Sequence, residues 1–419
     1  MDILVIGGGG REHAVIKKLK ESKHAGKIYC APGNGGISKD AMCINIKATD
    51  TALVTAFAKE HKIGLVVVTP DDPLALGMVD ALRNDGIRAF GPYKNAAEIE
   101  SSKVFSKNLM KKYRIPTANY DVFDEPQKAL DFIKEQDKYP TVIKADGLAL
   151  GKGVIIAQDY DEAKEALHSI MEEKVFGASG NKVVIEEFLT GPEVSVLAFT
   201  DSKTLKPMVS SKDHKRALDG DKGLNTGGMG TISPNPYYTD EIAEICMKTI
   251  FLPTMEAMNK EGRPFKGCLY FGLMITKEGP KVIEYNCRFG DPETQVVLPR
   301  LKTDLVEIME AVIDERLSDI EIEWDNGACA CVVAASGGYP KKYETGKKIT
   351  GLEQAEEIEG VTVFHAGTKS IDDEIVTAGG RVLGVTATGE TLDKALNKAY
   401  EAVGKINFDG MHFRKDIGR

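Results

Sequence analysis

The chain of 419 residues is long enough for about two to four domains, each with a core of its own. Its composition, 42% hydrophobic and 28% charged residues without a low-complexity tract, is typical of a globular protein and excludes a disordered or fibrous one. A net charge of -9 argues against a general nucleic-acid binder, although a local basic pocket for a phosphorylated small molecule stays open.

The sequence contains no clear signal for membrane insertion, secretion, disulfide bonding or zinc binding. No segment reaches the roughly 18 apolar residues that a membrane span needs. The N-terminus lacks a charged region that leads into an apolar stretch and a cleavage site. Seven cysteines without a C-x-x-C pair fit buried reduced thiols better than disulfides or a zinc site. We therefore expect a cytoplasmic protein without membrane or nucleic-acid partners, and we also expect a monomer.

The first hundred residues alternate short apolar runs with amphipathic stretches, which predicts an open parallel sheet flanked by helices. The segment DILVIGGGGREHAVIKKLKES is typical of a strand, a glycine loop and a helix, and two further strands, KIYCAPGNGG and IGLVVVTPDDPL, end in turns. A dinucleotide site is disfavoured, because Glu12 replaces the third glycine of G-x-G-x-x-G and the ribose-binding acid is missing. The loop fits a phosphate monoester at a helix N-terminus and a plain tight turn about equally.

A helical stretch, ESSKVFSKNLMKKYRIPTANY, comes next, followed by a strand, a glycine-rich loop and a second strand in YPTVIKADGLALGKGVIIA. Lys144 lies inside the first of these apolar strands, where an ammonium group requires an anion unless it faces outward at an edge. The loop 146–153 contains three glycines and Lys152. Its backbone is able to close over phosphates, and a simple hairpin loop is equally permissible.

Carboxylates interrupt the two strands of KVVIEEFLTGPEVSVLAF around a Gly-Pro turn. These carboxylates, from Glu186, Glu187 and Glu193, are able to accept hydrogen bonds from ribose hydroxyls or to pair with a lysine.

Polar side chains also occupy one side of the later strand that begins VIEYNCRFGDPETQ. Alternation places Glu284, Asn286 and Arg288 opposite residues 283, 285 and 287. A solvated sheet face is the alternative to a binding site.

The order of these elements resembles the ATP-grasp family. The longer motifs GGGGREHA, PGNGG, KADGLALGKGV, DHKRALDGDKGLNTGGMGTISP and RFGDPETQ are similar, over nearly the whole chain, to those of the phosphoribosylamine–glycine ligase family. The resemblance implies a multidomain α/β and α+β fold. Its parts are an open parallel α/β domain at 1–101, an ATP-grasp core at 102–326 with a small mobile lid at about 122–190, and an α+β domain at 327–419 that closes the cleft.

The resemblance also implies an activity. That family joins glycine to 5-phosphoribosylamine with ATP, through glycyl phosphate, and yields glycinamide ribonucleotide, ADP and phosphate in purine biosynthesis. The implied cofactors are ATP and magnesium or manganese. Two alternatives remain open at this point, another ATP-grasp carboxylate–amine ligase and a non-catalytic nucleotide sensor.

Residue roles follow from the same resemblance. The metal ligands are Glu284 and Asn286, and Arg288 with the backbone of Gly227 and Gly228 stabilises the oxyanion. The ATP-binding residues are Lys103, Lys144, Gly151, Gly153, Glu186, Glu187, Phe188, Leu189 and Glu193. The substrate-binding residues are Gly9, Gly10, Arg11, Asn34, Asp213, Lys215, Asn225, Thr226 and Asp291.

Two of these positions carry alternatives. Asp291 either binds substrate or forms a turn with Pro292. His214 lies in the same charged segment as Asp213, where a histidine is more often solvated than catalytic, and we assign it no role.

Overall fold

The N-terminal part of the chain forms an all-parallel sheet with helices around it. The computed structural model describes residues 1–148 and 153–419. The five strands run in the order β3-β2-β1-β4-β5, so β1 is central and its residue Ile3 pairs with Ile28 and Leu65. The bounds are β1 Ile3–Gly7, β2 Ile28–Pro32, β3 Met42–Cys43, β4 Leu65–Val68, β5 Ala89–Phe90, α1 Gly10–Lys20, α2 Thr51–Glu60, α3 Asp71–Leu76, α4 Met78–Asn84 and α5 Lys94–Ser101.

A second, antiparallel sheet in the order β6-β9-β7-β8 covers the region of the predicted lid. The helix predicted before it is interrupted at Ser102, which ends α5 and caps the next helix by accepting from the N–H of Phe105. The bounds are α6 Lys103–Tyr113, β6 Tyr120–Phe123, α7 Pro126–Gln136, β7 Thr141–Ala145, β8 Val154–Ala157, α8 Tyr160–Leu167 and β9 Val183–Glu187.

The third sheet, in the order β11-β10-β16-β17, carries the motif-bearing strand β17 at its edge. The strands of this central region are β10 Glu193–Thr200, β11 Leu205–Pro207, β12 Lys212–Asp213, β13 Arg216–Leu218, β14 Lys222–Asn225, β15 Gly230–Ser233, β16 Gly267–Thr276 and β17 Gly279–Asn286. Its helices are α9 Asp240–Cys246, α10 Leu252–Lys260, α11 Thr294–Val297 and α12 Leu305–Ile313.

The C-terminal sheet is completed by strands from earlier in the chain. Its order is β12-β15-β18-β22-β19, so the segment that carries Asp213 and the NTGGMG motif joins a sheet made otherwise of residues after 327. The remaining bounds are β18 Ala328–Ala335, α13 Leu352–Glu356, β19 Val361–His365, β20 Thr368–Ile371, β21 Glu374–Thr377, β22 Arg381–Gly389 and α14 Leu392–Val403. Short 3-10 or π turns lie at Ile37–Lys39, His168–Glu172, Gly177–Asn181, Met247–Phe251, Leu298–Arg300 and Leu317–Asp319.

A shared core joins the N-terminal sheet to the central sheet. Phe90 of β5, Phe199 of β10 and Phe289 are buried, and their ring centroids lie 6.1 to 6.5 Å apart. Aromatic packing of this kind fixes both distance and angle between neighbouring elements. The backbone of the RFGDPETQ motif is therefore anchored against the N-terminal domain.

The predicted α/β and α+β fold class is confirmed, because an all-parallel sheet with helices is followed by antiparallel sheets combined with helices. Among residues 1–148 and 153–419, no helix combines the length and the apolar content that crossing a membrane requires.

Candidate active site

Lys144 and Glu186 form a buried ion pair between neighbouring strands. Pairing of β7 with β9 brings the two side chains together, with Lys144 Nζ 3.0 Å from Glu186 Oε1 and 3.1 Å from Oε2. Lys144 is 5% exposed and Glu186 is 4% exposed. Lys144 also donates to the carbonyl of Ile283 on β17, at 3.2 Å. An outward-facing edge lysine is therefore excluded, and the pair links the lid sheet to the central sheet.

A second lysine shares the same carboxylate. Lys107 Nζ lies 2.9 Å from Glu186 Oε2, donates to Thr117 Oγ1 at 2.7 Å and is 2% exposed. Burial lowers the pKa of Lys107 from 10.5 to about 8, although Glu186 favours the charged form. The sequence interpretation missed this residue. Its signal was present, because Lys107 is one helical turn after Lys103 on α6.

Lys103 lies at the N-terminus of α6, next to the beginning of the glycine-rich loop. Its Nζ donates to the carbonyl of Gly147 at 2.8 Å. Burial lowers the pKa of Lys103, and Glu284 opposes that change. Asp146 accepts from Ser102 Oγ at 3.0 Å, which joins the loop to the helix cap. Of the two predicted loop glycines, Gly151 lies outside the described residues, while the carbonyl of Gly153 accepts from the N–H of Ala145 at 2.8 Å.

The segment after β9 provides both polar and apolar surface. Glu187 accepts from the backbone N–H of Asn119 at 3.0 Å and from its Nδ2 at 3.1 Å. Phe188 is 40% exposed and Leu189 is half-buried. The backbone and apolar side chains beside Glu186 thus fit an aromatic base, and Glu193 follows at the start of β10.

Strand β17 presents a carboxylate beside a β-bulge. Gly272 pairs with Glu284 and Leu273 pairs with Val282, so Ile283 is an extra residue that re-aims the strand next to Glu284. Burial alone raises the pKa of the Glu284 carboxyl, but Lys215, Lys144 and Lys103 outweigh burial and lower it.

The amide of Asn286 follows on the same strand. Its Nδ2 donates to the carbonyl of Tyr285 at 2.8 Å, and its oxygen is the end that suits a cation. A carboxylate and an amide oxygen are ligands that Mg²⁺ and similar hard cations prefer, so the donor chemistry fits the implied metal.

Arg288 lies beyond the end of the strand, because β17 stops at Asn286. Its Nη2 is 3.2 Å from Glu100 Oε1, and its Nη1 donates to the carbonyl of Phe289 at 3.2 Å. Arg11 donates to the same carbonyl, also at 3.2 Å. Burial disfavours the charge of Arg288, but Glu100 and Asp71 outweigh burial and raise the pKa of its guanidinium. Two cations from distant parts of the chain therefore meet at one point, as an anion site requires.

The N-terminal glycine loop is held by its own carboxylate and by Asn34. The N–H of Gly9 donates to Glu12 Oε2 at 2.6 Å, and Arg11 Nε donates to Glu12 Oε1 at 2.7 Å. Asn34 Nδ2 donates to the carbonyls of Gly8 and His365, while its Oδ1 accepts from the N–H groups of residues 36 and 37. Both ends of this amide are thus engaged within the protein. Gly10 lies so close to Gln295 that a Cβ would stand 2.6 Å from Nε2 of that residue.

Two carboxylates, the half-buried Asp213 and the buried Glu293, lie near each other in the NTGGMG region. Burial raises the pKa of Asp213 well above its usual value, and the charge of Glu293 adds to that rise. Asp213 accepts from the N–H of His214 at 2.7 Å. Glu293 is 4% exposed and accepts from Tyr270 Oη at 3.1 Å and Ser195 Oγ at 3.2 Å. The sequence interpretation quoted Glu293 within its motif without assigning it a role.

Lys215 connects this region to Glu284, the predicted metal ligand. Its Nζ lies 3.2 Å from a carboxylate oxygen of Glu193 and 3.7 Å from one of Glu284. Glu193 is the main reason that the pKa of Lys215 rises well above its usual value. The side chains of Glu193, Lys215 and Glu284, which are the predicted ribose, substrate and metal ligands, therefore lie next to one another.

The backbone N–H groups of the two motif glycines already have acceptors. The N–H of Gly227 donates to Tyr339 Oη at 3.0 Å and that of Gly228 donates to Thr226 Oγ1 at 3.0 Å. A Cβ at Gly228 would stand 2.5 Å from Pro292 Cδ and 2.6 Å from Asp213 Oδ1. Gly228 therefore lets the backbone approach Asp213 closely. Asn225 is exposed at the end of β14.

Arg381 of the C-terminal domain clamps two site loops. Its Nη1 donates to the carbonyls of Gly227 and Asp291, the latter at 2.9 Å, and its Nη2 lies 3.2 Å from Asp291 Oδ2. Burial raises the pKa of Asp291, but Arg381 and Arg11 outweigh burial and lower it. Sequence reasoning missed Arg381 and Tyr339, because nothing near them in the chain resembles a ligand-binding motif.

His214 has a supporting position. Its Nδ1 lies 3.1 Å from the carbonyl of Gly230, and its Nε2 accepts from the N–H of Gly418 at 3.1 Å. Burial lowers the pKa of His214 to about 4. Both ring nitrogens are therefore engaged by the backbone, and the ring stays neutral at physiological pH.

Comparisons with known proteins cover the whole chain. Models of the phosphoribosylglycinamide synthetase N domain, ATP-grasp (A) domain and C domain match residues 1–100, 101–294 and 329–419. Phosphoribosylamine–glycine ligase of Clostridium acetobutylicum is 50% identical over 419 residues, 100% of both chains. The enzyme of that name from Caldanaerobacter subterraneus is 49% identical over 417 residues, 100% of this chain and 99% of its own. The crystal structure of phosphoribosylamine–glycine ligase from Thermotoga maritima has a TM-score of 0.85 at 33% identity and covers 100% of both chains.

We predict that Lys107 confers an alkaline limit on nucleotide binding. Above a pH of about 8 Lys107 loses its charge, Glu186 keeps only Lys144 as a cationic partner, and the KM for ATP should rise. Lys107→Arg keeps the charge and should move that rise to higher pH. The measurement is the KM for ATP from pH 6.5 to about 9.5. Lys111→Arg, on an exposed position of the same helix, is the matched control. Identical profiles for wild type and Lys107→Arg would contradict this assignment.

Proposed function

The chain belongs to the phosphoribosylglycinamide synthetase family, and we propose that the cleft around Glu284 is where it performs that family's reaction. The protein is an ATP-dependent ligase that joins glycine to phosphoribosylamine in purine biosynthesis. The observation that supports the placement is the set of charges around Glu284, where Lys103, Lys144 and Lys215 all act on one carboxylate. Such a set suits a substrate that carries phosphates and a metal.

In this proposal ATP lies between the lid sheet and strand β17. Lys103 and Lys144 contact its phosphates, residues 186–189 hold the adenine and Glu193 accepts from the ribose. Lys107 keeps the Glu186 carboxylate fixed, so that Lys144 remains oriented toward β17. Gly151 and Gly153 belong to the loop that covers the phosphates.

Glu284 and Asn286 would hold magnesium, or manganese, at the edge of β17. A divalent cation bound there would neutralise phosphate charge and orient the terminal phosphoryl group. Both donors are oxygens, which favours these hard cations over zinc. Glu284 also stays ionised, because the lysines around it lower its pKa.

Arg288 is proposed to act in the acyl-transfer step, and Arg11 to bind the phosphorylated substrate of that step. A carboxylate is a poor acyl donor, so the terminal phosphoryl group of ATP passes first to glycine and gives glycyl phosphate. The amine of phosphoribosylamine then forms the new C–N bond while the C–O bond to phosphate breaks. Arg288, fixed by Glu100, is oriented to stabilise the oxyanion and the leaving phosphate. Arg11 and the loop at Gly9 and Gly10 face the phosphate of phosphoribosylamine.

The backbone of Gly227 and Gly228 can assist the oxyanion only after exchanging its present partners, Tyr339 and Thr226. Arg381 donates to the carbonyl of Gly227 and, at 3.5 Å, to that of Gly228, so both glycines keep a contact during this exchange. Asn34, Asn225 and Thr226 shape the substrate side of the cleft, and Asp291 is oriented there by Arg381 and Gln295.

The pair Asp213 and Glu293 is proposed to bind the ammonium group of glycine. Two neighbouring carboxylates, one half-buried and one buried, disfavour double ionisation, and a bound cation relieves that repulsion. Free glycine carries a positive amino group at neutral pH. The amine of phosphoribosylamine must instead be uncharged to act as a nucleophile, so it gains less from this pair.

The domain bounds 1–101, 102–326 with the lid at about 122–190, and 327–419 are part of this proposal. Strands β12 and β15 fall before 327 in the chain yet complete the C-terminal sheet, which favours a C-terminal domain that is firmly attached. A monomeric, cytoplasmic enzyme is also proposed, and sedimentation equilibrium would test the monomer.

The test of function and of the metal ligands is ADP release with ATP, glycine and freshly generated phosphoribosylamine, in Mg²⁺ or Mn²⁺ titrations. Wild type should need both substrates, with glycinamide ribonucleotide formed in equal amount. Glu284→Gln and Asn286→Ala should lose most turnover and need at least about 10- to 100-fold more metal, because removing even a group that only orients a metal ligand costs that much affinity. Glu278→Gln, an exposed acid on the same hairpin, is the control. Unchanged metal dependence in the first two variants would reject the ligand assignment.

Asp213→Asn should raise the KM for glycine while the KM for ATP stays constant. The change removes the negative charge next to the proposed ammonium site and keeps the size of the side chain. Initial rates with glycine as the varied substrate measure the effect. Asp240→Asn, an exposed carboxylate at the start of α9, is the control. An unchanged KM for glycine would move the ammonium site elsewhere.

A further inference from the structure

The last residues of the chain are bonded to the segment that follows Asp213. His412 Nε2 lies 2.7 Å from the carbonyl of Ala217. The N–H of Lys415 donates to Asp219 Oδ1 at 2.8 Å, and Asp416 Oδ2 accepts from the N–H of Gly220 at 2.7 Å. We call residues 412–418 the tail and residues 214–221 the supported segment. About 200 positions of sequence separate the two partners in each contact.

Arg414 is the centre of this contact. It is 1% exposed, and its guanidinium binds Asp416 with both arms, Nε to Oδ1 at 2.7 Å and Nη2 to Oδ2 at 2.8 Å. Its Nη1 reaches across to the supported segment, where it donates to the carbonyl of Arg216 at 3.1 Å and to Asp221 Oδ1 at 2.8 Å. Because the donors of a guanidinium point in fixed directions within one plane, Arg414 constrains the positions of its partners as well as compensating their charge.

The supported segment lies directly beside groups of the cleft. Asp213 precedes it, and Lys215 within it contacts Glu193 and Glu284. The tail also contacts His214, whose Nε2 accepts from the N–H of Gly418. The tail therefore constrains the backbone of residues 214–216, and this backbone in turn constrains the side chains of Asp213 and Lys215.

We propose that the tail positions the substrate side of the active site, and that Arg414 is the positioning residue through which it acts. This inference rests on the proposed role of Asp213 and Lys215 in the cleft. The tail should affect one side of the active site more than the other. Its contacts described above are with the supported segment, whereas the proposed ATP ligands Lys103, Lys144 and Glu186 lie on α6, β7 and β9. Loosening the tail should thus affect glycine and phosphoribosylamine more than ATP.

Two neighbouring cations offer a matched pair of variants. Arg414→Gln removes the buried fork, whereas Lys415→Gln removes the same charge from an exposed side chain whose backbone alone contacts the segment. Arg414→Gln should raise the KM for glycine about tenfold or more, since a displacement of about 1 Å in a site costs on the order of a hundredfold in rate. The KM for ATP should change less than about twofold, and Lys415→Gln should match wild type.

Hydrogen exchange separates positioning from general instability. In Arg414→Gln, amides of residues 214–225 should exchange faster, while those of α6 and the lid sheet keep their wild-type protection. Arg414→Lys retains the charge without the fork and should lie between the two in both measurements. If Arg414→Gln fails to fold, Arg414→Lys and wild type provide the comparison.

The outcomes distinguish this inference from the proposed function. An equal rise in the KM for ATP and for glycine in Arg414→Gln would overturn the positioning role. Faster hydrogen exchange spread over the whole chain would do the same. Unchanged exchange in residues 214–225 would overturn it as well. If Asp213→Asn leaves the KM for glycine unchanged, the proposed ammonium site is rejected. The hydrogen-exchange result in Arg414→Gln still decides the positioning role of the tail in that case.

Discussion

A carboxylate buried between two lysines is the constraint on which the nucleotide side of this protein depends. Glu186 is almost fully removed from water, and an isolated buried charge is too costly to persist. Lys144 and Lys107 both compensate it, one from the lid sheet and one from α6. Because Lys144 also reaches the carbonyl of Ile283, the lid, the helix and strand β17 are joined at one point. Removing either lysine leaves an under-compensated carboxylate, so position and stability are coupled here.

The substrate side is built on a different principle, the meeting of segments that are far apart in the chain. Arg11 and Arg288 share the carbonyl of Phe289, and Arg381 bridges Gly227 and Asp291. Contributions from several elements suit a reaction through an acyl phosphate, which water would hydrolyse if the cleft stayed open. The C-terminal sheet, which includes β12 and β15, holds the substrate segment against that cleft.

Much of this arrangement could be predicted from local sequence, and the reasons for the remainder are physical. The parallel N-terminal sheet, the paired strands at Lys144 and the E-x-N strand all follow from periodicity and turn residues, and they are confirmed. The strand ends at Asn286, so the contacts of Arg288 come from the loop beyond it and from Glu100, and alternation alone does not predict them. Arg381 and Arg414 act across about 150 to 200 residues, a distance at which no local pattern carries information. The individual site roles remain predictions.

An acidic protein that binds a polyphosphate needs local rather than global positive charge. The net charge is -9, yet lysines 103, 107, 144 and 215 are concentrated in the cleft with acidic partners among them. The free-energy cost of removing these cations from water is therefore already offset in the folded protein, because carboxylates and carbonyls contact them before a ligand binds. Under the proposed function, phosphates would replace some of those partners at cations whose positions folding has already set, which is the condition under which charged groups stabilise a transition state most effectively. Each of these four lysines also contacts a partner outside its own helix or strand, so their positions depend on how the elements pack together.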